Sequence, residues 1–75
     1  GSAMQVRRVQ QKGEIGWKGQ HHVFVSEVLR GERIGLLPID DRYHRIYFAW
    51  LPIARLDNHT LQVQRLWEED RKPET

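Results

Sequence analysis

The sequence has no cysteine, so neither a disulfide nor a thiolate metal site is available, and the absence fits a reducing compartment. It has no apolar run approaching the roughly 20 residues of a membrane-spanning helix, and no leader pattern. No stretch keeps helical apolar spacing long enough for a globular helix. A glycine-rich phosphate loop is missing as well. Ser26 has no base or oxyanion loop near it in sequence. His21, His22, His44 and His59 do not fall at metal-ligand spacings. The neighbouring carboxylates Asp40 and Asp41 alternate in direction and lack a third ligand, which makes them turn residues rather than a metal pair. The chain is therefore expected to be non-catalytic and to hold no metal or cofactor.

What is present is a small, arginine-rich chain. Seventy-five residues make one domain with a thin core, since a chain of about 60 residues buries only roughly 60% of its unfolded surface. The net charge is +2, with 12 cations, and most of these are Arg, whose planar fork suits phosphate. From Gln5 to Arg45 the cations are Arg7, Arg8, Lys12, Lys18, Arg30, Arg33, Arg42 and Arg45, against Glu14, Glu27, Glu32, Asp40 and Asp41. From Leu56 onward the balance reverses, with Asp57, Glu68, Glu69, Asp70 and Glu74 against Arg65, Arg71 and Lys72. A basic body with an acidic tail is compatible with a polyanionic partner. Residues 1–4, Gly1-Ser2-Ala3-Met4, read as a cleavage scar with a start or cloning site and are left out of fold reasoning. Residues 68–75, "EEDRKPET" after Trp67, are charged, lack apolar anchors and are expected to be disordered.

Between them the periodicity is that of strands. "QVRRVQQ" and "EIGWKG" flank Lys12-Gly13, so residues 5 to 19 predict a hairpin. "QHHVFV" is β-rich and passes through a tight loop or helical turn at Ser26–Leu29 into Arg30-Gly31. "ERIGLLPI" follows, with Pro38 near its end, then a turn at Asp40-Asp41-Arg42. In "YHRIYFAW", Ile46, Phe48 and Trp50 share one face while Arg45 and Tyr47 point the other way. "LPIARL" sets Ile53 and Arg55 against Ala54 and Leu56, and "LQVQRLW" alternates after an Asp57-Asn58-His59 turn. Five or six short strands predict an all-β fold over residues 5–67, a small barrel or sandwich, of which a closed or nearly closed five-stranded barrel with one extra C-terminal strand is the economical form at this length.

The order and spacing of these pieces are similar to a known pattern. Arg7-Arg8-Val9, Lys12-Gly13, Val23-Phe24-Val25, Leu29-Arg30-Gly31-Glu32-Arg33-Ile34, Asp40-Asp41, Ile46-Tyr47-Phe48 and Ile53-Ala54-Arg55-Leu56 resemble the C-terminal region of bacterial insertion-sequence transposases of the retroviral-integrase (DDE) superfamily. The resemblance covers residues 7 to 56. It implies an SH3-like β-barrel that follows a catalytic core, binds transposon-end or target DNA, and helps assemble a multimeric synaptic complex. The family's core carries an Asp, Asp, Glu triad with divalent metal, and that core is absent from this chain. A bacterial, cytoplasmic, nucleoid-associated location goes with it. The chain departs from the pattern at Ala49, where Gly is frequent, at the doubled His21-His22, and after Asp57.

The expected DNA contacts are therefore Arg7, Arg8, Lys12 and Lys18 in the first hairpin, Arg30, Arg33, Arg42 and Arg45 beyond it, and the aromatics Trp17 and Tyr47. For the cations the competing reading is a solvated edge that discourages aggregation. Glu32, Asp40 and Asp41 stand close enough in sequence to pair with some of them. Trp17 suits either surface stacking or packing over the barrel mouth, Trp50 the core, and Trp67 a barrel closure or another chain. The expected partner is double-stranded DNA, with self-association or contact with a catalytic core as a further role. The alternative is an SH3-like protein–protein or oligomerisation module without DNA affinity. An RNA- or chromatin-binding barrel is a third reading.

Overall fold

The computed structural model describes residues 3–66; Trp67 and the charged residues 68–75 lie outside them. All seven elements are strands: β1 (Gln5–Arg8), β2 (Glu14–Trp17), β3 (His21–Phe24), β4 (Arg33–Pro38), β5 (Tyr43–Phe48), β6 (Leu51–Asp57) and β7 (Gln62–Arg65). Five form an antiparallel sheet in the order β1-β4-β5-β6-β7, and β2 and β3 form a separate hairpin. β1 approaches β2, and β3 approaches β7, within 8 Å between Cα atoms. No ladder joins the two sheets among the described residues, so the arrangement is two sheets around one core rather than a ladder-closed five-stranded barrel.

The hairpin predicted over residues 5 to 19 forms only at its neck. Gln10 N–H donates to Glu14 O at 2.8 Å, after which β1 leaves β2 and pairs with β4 from Gln5↔Leu36 to Arg8↔Arg33. Gly13 makes the parting possible. It sits at φ +83°, and a Cβ there would stand 2.9 Å from the backbone of Ser26 and Glu27. Its carbonyl accepts from Val25 N at 2.7 Å and Ser26 N at 3.1 Å, which pulls the end of β3 over the turn. The hairpin that forms in full is β2–β3, registered Glu14↔Phe24 to Trp17↔His21 around Lys18-Gly19-Gln20.

The core is the inward set of every strand: Ile15, Trp17, Val23, Ile34, Leu36, Ile46, Ala54 and Leu56, with Val9 and Val25 from the connections. Each buried Val, Ile or Leu among them contributes about 1.5–3 kcal/mol relative to exposure. The register of β6 needs a device to achieve this. Its two-residue turn pairs Phe48 with Leu51 and Tyr47 with Pro52, yet the next pair is Ile46↔Ala54. Ile53 is the extra residue of a β-bulge. Without it Ile46 would face Ile53, and Arg55 rather than Leu56 would be driven inward beside His44.

Trp50 corrects the sequence reading. Alternation puts it on the face of Ile46 and Phe48, but β5 ends at Phe48, and Trp50 lies at the hairpin tip, 81% exposed. Ala49 beside it holds φ +56°, a conformation that costs a non-glycine residue about 1–2 kcal/mol.

One polar cluster joins the two sheets. Trp17 Nε1–H from β2 donates to Asn58 Oδ1 at 2.9 Å. The Asn58 amide nitrogen donates to Arg42 O at 2.9 Å and contacts His44 Nδ1 at 2.9 Å. An amide NH₂ can only donate, so His44 Nδ1 accepts and its ring proton is on Nε2. Trp17 and His44 also meet edge to face, with centroids 4.9 Å apart. Burial, and secondarily the charge of Lys18, hold His44 below its ordinary value of 6.5.

Two outcomes follow from this geometry. Ala49→Gly relieves the strained turn and is expected to raise stability by about 0.5–1 kcal/mol in urea melts with an unchanged m-value. For His44 the unfolded chain binds a proton that the folded chain resists. Its contribution is therefore complete above the ordinary value of 6.5 and erodes as pH falls below it, by at most about 1.4 kcal/mol per pH unit. A thermal-melt series should show this decline in the wild type and lose it in His44→Gln.

Candidate nucleic-acid interface

The cations of the sequence reading divide into three groups. Arg7, Arg8, Lys18, Arg30 and Lys12 line three shallow grooves that all share Gln10, two of them also sharing Arg8 and two Gln11, and so form one continuous surface. Four segments converge there: β1, the β1–β2 turn that carries Lys12, the Lys18-Gly19 tip of the β2–β3 hairpin, and the loop before β4. Lys18 holds φ +50° at that tip and is exposed. Glu14 and His22 share the groove that Lys12 lines. Arg33 adds to this surface through the ladder, since it is paired directly across from Arg8.

Their side chains are held by backbone rather than by acids. Arg8 donates to Gly31 O at 2.7 Å, Arg30 to Glu27 O at 3.1 Å, and Arg7 to Val6 O and Gln5 Oε1 at 2.9 Å each. Among the described residues, none of Arg7, Arg8, Lys12, Lys18, Arg30 and Arg33 has a carboxylate within 4.0 Å. The pairing expected from Glu32, Asp40 and Asp41 does not form. Asp40 instead accepts from the backbone N–H groups of Tyr43 and Arg42, and these two bonds lower its pKa.

Trp17 corrects the list of surface aromatics. It is 1% exposed and lies beneath this surface, with the Arg7 guanidinium 5.7 Å from its ring centre. It belongs to the hydrophobic core itself, rather than to the surface or to a cover over a barrel mouth.

Arg42 stands apart from the grooves. Its Nε donates to both Asp57 oxygens at 3.1 Å and its terminal nitrogen to Oδ2 at 2.9 Å. Asp57 is buried and also accepts from His59 N at 2.8 Å. The Arg42 bonds, with those of the His59 and Thr60 backbone, hold its carboxyl well below the usual carboxylate range. Arg42 thus neutralises a buried acid, which leaves it little to offer a phosphate.

Arg45 and Tyr47 take the outward face of the five-stranded sheet, as their alternation with the buried His44 and Ile46 requires. Both are half-buried. The register puts Val6, Gly35 and Tyr47 in one row and Arg45 and Arg55 in another. Met4, which was left out of fold reasoning, lies over Gly35, where an added Cβ would come 2.5 Å from its sulfur. Arg55, which was not among the candidates, packs 4.2 Å from the Tyr43 ring centre, with Arg42 5.3 Å from the same ring. Arg45 Nε is buried without a hydrogen-bond partner. Arg55 could be found from sequence only with the bulge in hand, because an unbroken two-residue hairpin puts Ala54 opposite Arg45.

No curated protein and no solved structure matches the chain. A family model does match, over residues 4–64, and its description is IS481 family transposase, C-terminal domain. The matched span runs from Met4 through β6 and all but the last residue of β7, takes in every candidate contact, and the chain belongs to this transposase C-terminal domain family.

Proposed function

We propose that this domain is the non-catalytic DNA-binding module of a DDE transposase or integrase-like recombinase, gripping duplex DNA through phosphates and helping assemble the synaptic complex. The observation that carries the reading is Arg8 directly opposite Arg33 beside the grooves of Arg7, Arg30, Lys18 and Lys12. Like charges facing across a ladder destabilise it, and here no carboxylate among the described residues offsets them. A polyanion does so on binding, releasing counterions as it arrives. Such contacts position the duplex and read little sequence. Arg45 and Tyr47, with Arg55, extend the basic face along the outer sheet. In the same reading the two sheets compose an SH3-like barrel, supported by the approach of β1 to β2 and of β3 to β7. The reaction itself belongs to a catalytic core elsewhere in the parent protein, acting in the bacterial cytoplasm at the nucleoid.

A second reading, a module that joins subunits, is favoured by a groove of about 330 Å³ lined by Val25, Val28, Leu29, Phe48, Ile53 and Ala54. Val28 on its rim is 88% exposed. Concentration-dependent self-association without DNA affinity would select it.

Duplex affinity is expected to fall about a thousandfold between roughly 50 and 200 mM salt. Reversing Arg8 and Arg33 to Glu should weaken binding at least tenfold and flatten the log–log salt slope by about 2, while circular dichroism stays unchanged. Binding that ignores both salt and the double reversal would refute the assignment.

A further inference from the structure

We infer that Trp50 is a stacking contact for an unpaired nucleobase, so that the ligand is a DNA duplex adjoining an unstacked base, at a strand end or a distorted step. The inference rests on the DNA-binding reading and goes beyond it, because phosphate contacts ask nothing of an aromatic ring.

Three costly features meet at one hairpin tip. Trp50 is 81% exposed and Leu51 after it is 52% exposed. That forgoes the burial which a large aromatic usually finds. Ala49 holds φ +56°, where Gly, Asn or Asp would satisfy a two-residue turn without strain. Pro52 and the bulge at Ile53 follow immediately, so this tip is anchored by Phe48↔Leu51 and Tyr47↔Pro52 and then interrupted. The bulge serves the register of β6, but a turn whose only task was to reverse the chain would need neither the exposed indole nor a non-glycine residue at positive φ. Such disagreement between local preference and observed structure is expected where a ligand is met.

The position of the tip selects the ligand. Gly35 pairs with Tyr47. Two residues back on β4 is Arg33, two residues on from Tyr47 is Ala49, and Arg8 is the partner of Arg33 on the far side. The tip therefore continues from the end of the β4–β5 ladder at which β4 carries Arg33, the same end of the sheet as the facing arginines. Asp40 and Asp41 lie at the opposite end of the β4–β5 hairpin. A flat apolar ring at the edge of a phosphate-gripping row matches the arrangement by which proteins hold unstacked bases, with sequence tolerance because every base has a π face. It equally suits a wedge inserted at a deformable step.

The test uses the full 75-residue chain, with a blunt duplex and the same duplex carrying a short single-stranded extension as probes in fluorescence anisotropy. Trp50→Ala is expected to lose about tenfold in affinity for the extended duplex and less than twofold for the blunt one, with Trp50→Phe retaining most of the difference. Because the side chain is 81% exposed, neither variant should alter the circular dichroism spectrum. Equal losses on both probes, or no loss on either, overturn the inference while leaving the phosphate-binding reading intact. A wild-type chain that binds neither probe overturns both. If Trp50→Ala instead leaves DNA binding untouched and abolishes self-association in sedimentation, the tip is a subunit contact and the stacking assignment is wrong.

Discussion

The hydrogen bond from the buried indole of Trp17 to the side chain of Asn58 is the contact on which the two sheets depend. Trp17 heads the largest fully buried side chains, and it belongs to the hairpin that shares no ladder with the main sheet. An indole N–H buried without a partner costs about 1–3 kcal/mol. Asn58 removes that cost and, through Arg42 O and His44 Nδ1, ties the hairpin to β5 and the end of β6. Apolar packing alone would let a thin core settle in several ways. A directional bond at its centre specifies one.

The grooved basic surface is built on this junction. One side of the Trp17 ring meets His44, and the Arg7 guanidinium lies over the ring. The β2–β3 tip that carries Lys18 is the continuation of Trp17 itself. Fixing the indole therefore fixes where Lys18 stands relative to Arg7 and Arg8. Cations and acids are also separated by role. Arg42 is committed to the buried Asp57, whereas the grooved surface keeps its arginines on carbonyl groups, which leave their charge uncompensated.

The β5–β6 hairpin shows a second constraint. Its turn length and the need to keep Arg55 out of the core are incompatible in a regular ladder, and the bulge at Ile53 resolves the conflict. The consequence is the facing pair of Arg45 and Arg55 on the outer sheet and the packing of Arg55 on Tyr43. Strain at Ala49 and exposure of Trp50 are concentrated at the same element, while the rest of the core follows plain alternation.

By itself the sequence determined the all-β class, the face shared by Ile46 and Phe48 on β5, the two opposed faces of β6, the acidic turn at Asp40–Arg42, and the family, because two-residue alternation and motif order are local properties. Only the tertiary structure decided that β1 pairs with β4, that the sheets remain two, that Trp17 is inside and Trp50 outside, and that Arg42 is committed to Asp57. Each of these turns on a partner distant in sequence. Arg8 meets Arg33 and Trp17 meets Asn58 across long loops, and Gly13 decides where the chain parts because the Ser26–Glu27 backbone presses on it. Periodicity assigns a side chain to a face. Whether that face has anything to pack against is decided by the rest of the fold.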